Sequence, residues 1–156
     1  SSTFQKVRDF IFDLRPMMLD DLGLVPTVRR YADSFREKTD INVKLDINGE
    51  ERRLETHREV MMFRSVQELM GHARDYAGAS EVAVFLDMNG DRLKIGIKDN
   101  GRGFDAEAIF SEEGHRDARA QGLVTLREKF ELVGGTVSVM SSENDGTQVR
   151  LEIPAH

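Results

Sequence analysis

The stretch Lys98-Asp99-Asn100-Gly101-Arg102-Gly103-Phe104-Asp105 puts a carboxylate directly ahead of two glycines separated by one residue. Before it, Leu93, Ile95 and Ile97 alternate with polar or small residues, the pattern of a half-buried strand that carries Asp99 to the end of a sheet. Glycine adopts backbone angles closed to other residues, so Gly101 and Gly103 let the main chain approach a flat ring closely. A carboxylate fixed at that place can accept a charge-assisted hydrogen bond from an exocyclic amine such as that of adenine. Taken alone, the glycine pair fits a plain strand-to-loop turn better. A dinucleotide-binding fingerprint is ruled out, because no third glycine follows at the required spacing and no helix opens directly after the pair.

A second group of reactive side chains lies upstream. Glu68, His72 and Tyr76 recur every four residues within Phe63 to Ala77, so a helix over this stretch would align them on one strip. His72 reads either as a pocket residue or as a core-edge histidine hydrogen-bonded to Glu68. Met61, Met62, Phe63 and Met70 read as core filling. His57 and His115 stand alone in polar settings, and no Ser-His-Asp set or paired-carboxylate arrangement of a glycosidase can be assembled from the spacings.

The elements that would position these groups alternate along the chain. Phe4, Val7, Ile11 and Leu14 form an apolar seam on a first helix that Pro16 would end, either half of a helical hairpin or a terminal helix packed on its own domain. Pro26 is placed to open a second helix through about Lys38, with Val28, Tyr31, Ala32 and Phe35 on one face. Ile41, Val43, Leu45 and Ile47 alternate as a strand closed by Asn48-Gly49. Thr56 and Glu59 make a capping-box pattern ahead of the helix that reaches Ala77. Val82 to Met88 forms a strand, Asn89-Gly90 turns it, and the Asp99 strand returns antiparallel. Residues 105–120 read as a short helix and a mobile loop, followed by a helix from about Gln121 to Val133 and two strands, Thr136 to Ser142 and Thr147 to Pro154. The sum is an α+β fold, a two-layer sandwich with an antiparallel or mixed sheet and helices on one face.

Composition sets the outer limits. The 156 residues suit one domain with a core of its own, and 39% hydrophobic against 32% charged residues is the balance of a soluble globular chain. The chain has no cysteine, which excludes disulfides and thiolate metal sites and is compatible with a reducing compartment. No apolar run approaches membrane-spanning length and no signal peptide opens the chain. A net charge of -6 argues against general nucleic-acid affinity but not against one nucleotide held by a local cluster of donors.

The motifs Phe63 to Ala77, Asp99 to Gly103 and Gln121 to Lys129, with Gly134-Gly135 after them, resemble in order and spacing the ATP-binding catalytic domain of sensor histidine kinases. The similar subfamily is that of the nitrate-responsive and degradative-enzyme sensors, and Leu14 to Leu24 resembles its linker between dimerisation hairpin and catalytic domain. The resemblance implies a Bergerat-type ATP-binding fold over residues 25–156, preceded by the end of a dimerisation helix and a linker over residues 1–24. It implies that Asp99 accepts from the adenine amine, and that Gly101, Gly103, Gly122, Leu123, Arg74, Tyr76 and Thr147 complete the ATP site. It implies a catalytic role for Glu68 and places His72 at the magnesium position. ATP and Mg2+ are the implied cofactors; ADP, a response regulator and a second copy of the parent chain are the implied partners, in the cytoplasm. The accepting histidine of such kinases lies in a His-Asp or His-Glu motif on the first hairpin helix, and none of His57, His72, His115 or His156 is so placed.

Four positions depart from the family pattern. Relatives carry asparagine where this chain has His72, commonly lysine or arginine at Asp75, frequently histidine at Tyr76, and glycine at Ala120. Imidazole suits zinc, copper or nickel better than magnesium, which weakens the metal inference. A nucleotide-impaired signalling or dimerisation module on the same fold is therefore the alternative, and a free-standing serine kinase or ATPase a third reading.

Overall fold

The computed structural model describes residues 17–50, 52–103, 118–142 and 146–154. The seam over Phe4 to Leu14 and most of the short helix and loop expected over 105–120 lie outside them, and residues 118–120, expected as loop, open a helix instead. The chain runs α1 (Met17–Leu22), α2 (Leu24–Lys38), β1 (Asn42–Asn48), α3 (Thr56–His72), a π-helical turn (Ala73–Ala77), β2 (Glu81–Asp87), β3 (Arg92–Asp99), α4 (Ala118–Leu132), β4 (Thr136–Ser141) and β5 (Thr147–Pro154). The five strands form one sheet in the order β1-β2-β3-β5-β4. Among the described residues only β1 and β2 run parallel, joined by the α3 crossover; the other pairs are antiparallel, so the sheet is mixed.

Strand alternation decides which side chains meet the helices. Val82, Val84 and Leu86 of β2, Leu93, Ile95 and Ile97 of β3, and Val149, Leu151 and Ile153 of β5 are all buried, and the register sets Val84 against Ile97 and Ile97 against Val149. Facing them, α2 buries Leu24, Val28, Ala32 and Phe35, and α3 buries Met62, Phe63, Val66, Leu69 and Met70. One apolar layer thus lies between sheet and helices, as expected of the two-layer sandwich.

Three local findings differ from the pattern read in the sequence. Residues 17–22 are helical, and Leu19 is buried in the core, so the segment after Pro16 packs on the domain. The capping box is absent: Glu55 is the N-cap of α3 and makes no side-chain cap. Glu59 is buried and pairs with Arg53, whose Nε and Nη2 donate to its carboxylate at 3.1 and 3.2 Å. A guanidinium fork satisfies both carboxylate oxygens, which a single backbone N–H cannot do. Finally, α3 does not stop at its last apolar residue but widens into the π-helical turn, closed by Gly78 in the left-handed region at φ 60°.

Candidate nucleotide-binding site

Asp99 is in phase with Leu93, Ile95 and Ile97, so the pleat sends its carboxyl into the layer between sheet and helices rather than to the solvent face. It is 5% exposed, as the last residue of β3. Val82 flanks it on β2 and Thr147 on β5. Burial pushes its carboxyl above the usual range, opposed by the Gly101 amide, by His72 and by the Thr147 amide. The Gly101 N–H donates to Asp99 Oδ1 at 2.9 Å, and this bond fixes the carboxylate across the turn. Thr147 is itself buried, its hydroxyl 2.9 Å from that of Ser141.

The loop after β3 is clamped from two sides. Arg102 N–H donates to the Ala77 carbonyl at 2.7 Å, joining the loop to the π-helical turn at the end of α3. A Cβ on Gly101 would fall 2.3 Å from that same carbonyl oxygen, and one on Gly103 would fall 1.7 Å from the Ser142 carbonyl oxygen. The two glycines are therefore required by main-chain packing, beside any need to admit a ring. Asn100 holds the other flank, its Oδ1 accepting from the Ser80 and Glu81 amides at 2.9 Å each and its Nδ2 donating to Ser80 Oγ. Gly146 closes the site from β5 with φ at 76°, and a Cβ there would fall 2.2 Å from the Asp99 carbonyl oxygen.

His72, the last residue of α3, lies close enough to Asp99 and Asp75 to lower both carboxyls electrostatically. Asp75 is held below the usual range first by its hydrogen bond to Arg74, whose Nε and Nη2 donate to it at 2.8 and 3.2 Å. Its negative charge is thus already matched by its neighbour. Arg74 also lies over the Phe35 ring, 5.9 Å from the centroid, on the α2 side of the helix. Tyr76 belongs to the π-helical turn, and its side chain is outside the described residues. Glu68 faces α4: a Cβ on Gly122 would fall 2.8 Å from its Oε1. The surrounding helices push the Glu68 carboxyl up although its side chain keeps contact with solvent, and Lys129 pulls it down. Leu123 is buried in the core. Since α4 opens at Ala118 rather than at about Gln121, the unpaired amides of its first turn lie upstream of Gly122.

The donor set does not fit a magnesium ion held by protein oxygens. His72 offers imidazole nitrogen where the resemblance calls for an amide oxygen, and among the described residues no three His, Asp or Glu side chains converge on a metal-sized site.

Residues 57–156 match the family described as histidine kinase-, DNA gyrase B-, and HSP90-like ATPase. The chain belongs to that family. The match begins on the first turn of α3 and takes in every residue of the site described above. Among curated proteins, the chain is 38% identical over 153 residues to the signal transduction histidine-protein kinase/phosphatase DegS of Brevibacillus brevis, covering 98% of this chain and 38% of that one. It is 34% identical over 154 residues to the oxygen sensor histidine kinase NreB of Staphylococcus carnosus, covering 99% of this chain and 43% of that one. Its relatives within the ATPase family are thus sensor histidine kinases of the DegS and NreB kind, of whose length the chain spans about two fifths. The fold agrees with solved histidine kinase catalytic domains. The ThkA catalytic domain superposes with a TM-score of 0.65 at 18% identity over 85% of this chain and 90% of that one. Histidine kinase AdeS of Acinetobacter baumannii superposes with a TM-score of 0.64 at 12% identity over 99% and 81%.

In this member of the ATPase family, Asp99, Gly101, Gly103, His72, Gly146 and Thr147 converge at the ends of β3, α3 and β5. Glu68, one turn earlier on α3, meets Gly122, whereas Arg74 turns toward α2. Sequence reasoning missed Asn100, the Ala77 carbonyl and the Ser142 carbonyl. The position of Asn100 directly after Asp99 was a usable signal, since such amides bond to nearby main chain. Main-chain carbonyls carry no side-chain signal.

Proposed function

We propose that this chain is the ATP-binding part of a two-component sensor kinase, presenting ATP for phosphoryl transfer to a histidine on a helical hairpin and from there to a response regulator. In this reading residues 1–24 are the end of that hairpin and its linker, residues 25–156 are the nucleotide domain, and the parent protein works in the cytoplasm as a dimer. The observation that carries the reading is the buried carboxylate of Asp99, held by the Gly101 amide inside an apolar layer. A carboxylate there has little to gain from water and much from a ligand N–H donor, because an unmatched buried charge is costly. An adenine amine satisfies it, with Gly101 and Gly103 letting the loop close on the Ala77 and Ser142 carbonyls and hold Asp99 in place. Glu68, at the junction of α3 and α4, then faces the phosphate end, where it would orient the reacting groups. Phosphoryl transfer draws mainly on such positioning and on charge stabilisation.

His72 and Asp75 support a second reading, a domain that keeps the fold for signalling with impaired nucleotide binding. Calorimetric titration with ATP and ADP, with and without magnesium, separates the two. Saturable binding that Asp99→Asn weakens supports the first, and no heat for any nucleotide in a folded sample supports the second.

A further inference from the structure

Asn100 is exposed, yet its side chain is bonded at both ends of its amide to one short segment, the entry of β2. Its Oδ1 accepts from the Ser80 and Glu81 amides at 2.9 Å each, and its Nδ2 donates to Ser80 Oγ at 2.9 Å. Its own amide donates to the Glu81 carbonyl at 3.2 Å, which carries the pairing of β2 with β3 one residue past Asp99. Ser80 is in turn tied to the sheet, its carbonyl accepting from the Asn42 amide of β1 at 2.9 Å. An exposed asparagine buries little apolar surface, so these bonds orient the backbone and do not fill the core. We propose that Asn100 is a positioning residue for nucleobase selection, holding Asp99 in the direction that favours an adenine amine over a guanine carbonyl.

The turn that follows Asp99 is held on both flanks. Asn100 fixes it to the entry of β2, and beyond it the Gly101 amide donates to Asp99 Oδ1 at 2.9 Å and the Arg102 amide to the Ala77 carbonyl at 2.7 Å. Without the Asn100 bonds the turn is free to swing about the Ala77 contact, and the Asp99 carboxylate tilts with it. Direction is what tells the two purines apart. A carboxylate aimed at the amine is matched by adenine, whereas guanine sets a second acceptor against it and leaves the buried oxygen unpaired. The side chain required is specific, because asparagine carries an acceptor with two lone pairs and a donor on one short planar group. Aspartate keeps both acceptor bonds at the same reach, and the Ser80 hydroxyl can donate to it in place of accepting. Alanine keeps none of them, and glutamine is one methylene too long.

The test uses the full 156-residue chain, calorimetric titration with ATP and GTP, and amide exchange in the empty protein. Asn100→Ala is expected to speed exchange of the Gly101 amide, to weaken ATP about three- to tenfold and to leave GTP within about twofold, a partial loss of one hydrogen bond to a charged group. Asn100→Asp is expected to bring ATP affinity back to within about twofold of wild type. In the Asp99→Asn background, Asn100→Ala is expected to weaken ATP by less than about a further twofold, because residues acting through one contact are not additive. Should Asn100→Ala not fold, Asn100→Gln takes its place with the same expected losses. Unchanged ATP affinity in Asn100→Ala, equal losses for ATP and GTP, no recovery in Asn100→Asp, or full additivity with Asp99→Asn overturns the proposal. Because the role of Asn100 rests on Asp99 reading adenine, Asp99→Asn alone decides that premise. If wild type binds no ATP, or Asp99→Asn leaves binding unchanged, the reading of Asp99 fails and the role of Asn100 falls with it. A loss in Asp99→Asn with none in Asn100→Ala overturns the role of Asn100 alone.

Discussion

At the scale of single residues, Asp99 carries a conflict between stability and binding. Its folded carboxyl titrates above the ordinary value of 3.8, with burial the leading cause. A raised acid favours the protonated folded state, so this stabilising increment is full below the ordinary value and is lost as pH rises through the folded one. At neutral pH the ionised side chain therefore costs stability in the empty protein. Asp99→Asn, which keeps an oxygen for the Gly101 amide, is expected to melt at higher temperature than wild type at neutral pH, with the gap shrinking as pH falls toward the acid range. Thermal melts across that range check the sign. The same substitution is expected to weaken ATP by about 1.5–3 kcal/mol, the worth of a hydrogen bond to a charged group. His72 supplies the second residue-level expectation. His72→Asn places an amide oxygen beside Asp99 and is expected to raise ATP affinity in magnesium while leaving metal-free ADP binding nearly constant, as titrations with each nucleotide would show.

At the scale of elements, the site depends on a joint between the loop after β3 and the π-helical end of α3. Gly101→Ala would press a methyl group against the Ala77 carbonyl and is expected to cost about 1–3 kcal/mol, the range for overpacking, measured by urea unfolding. This joint explains what the sequence could and could not disclose. The alternation of Leu93, Ile95 and Ile97 announced both the strand and the inward direction of Asp99, because the pleat has period two. The helical spacing of Glu68 and His72 announced that they share α3. The π-helical turn was hidden, since helical spacing does not distinguish a widened last turn from an ordinary one. The direction of Arg74 was hidden as well, being set by Phe35 and Asp75. The capping box failed because Arg53, three residues ahead of the helix, competes for Glu59 with a stronger charged bond.

At the scale of the whole molecule, α1 is secured to the nucleotide domain by a buried apolar anchor and one charged clasp. Leu19 is in the core, and Arg53 Nη2 donates to the Asp20 carbonyl at 3.0 Å while pairing with the buried Glu59. Arg53→Ala leaves Glu59 buried without its cation and is expected to cost about 2–3 kcal/mol, less than a fully enclosed pair because Arg53 is half-exposed. Chemical denaturation reads the total, and amide exchange over residues 17–22 is expected to accelerate most as the clasp opens. The central claim is that this domain reads adenine through Asp99, and the most direct test is calorimetric comparison of ATP with GTP on wild type and Asp99→Asn. A guanine ring offers a carbonyl where adenine offers its amine, so wild type is expected to prefer ATP, and the variant to lose most of that preference while remaining folded. Equal discrimination by both proteins would contradict the assignment of Asp99.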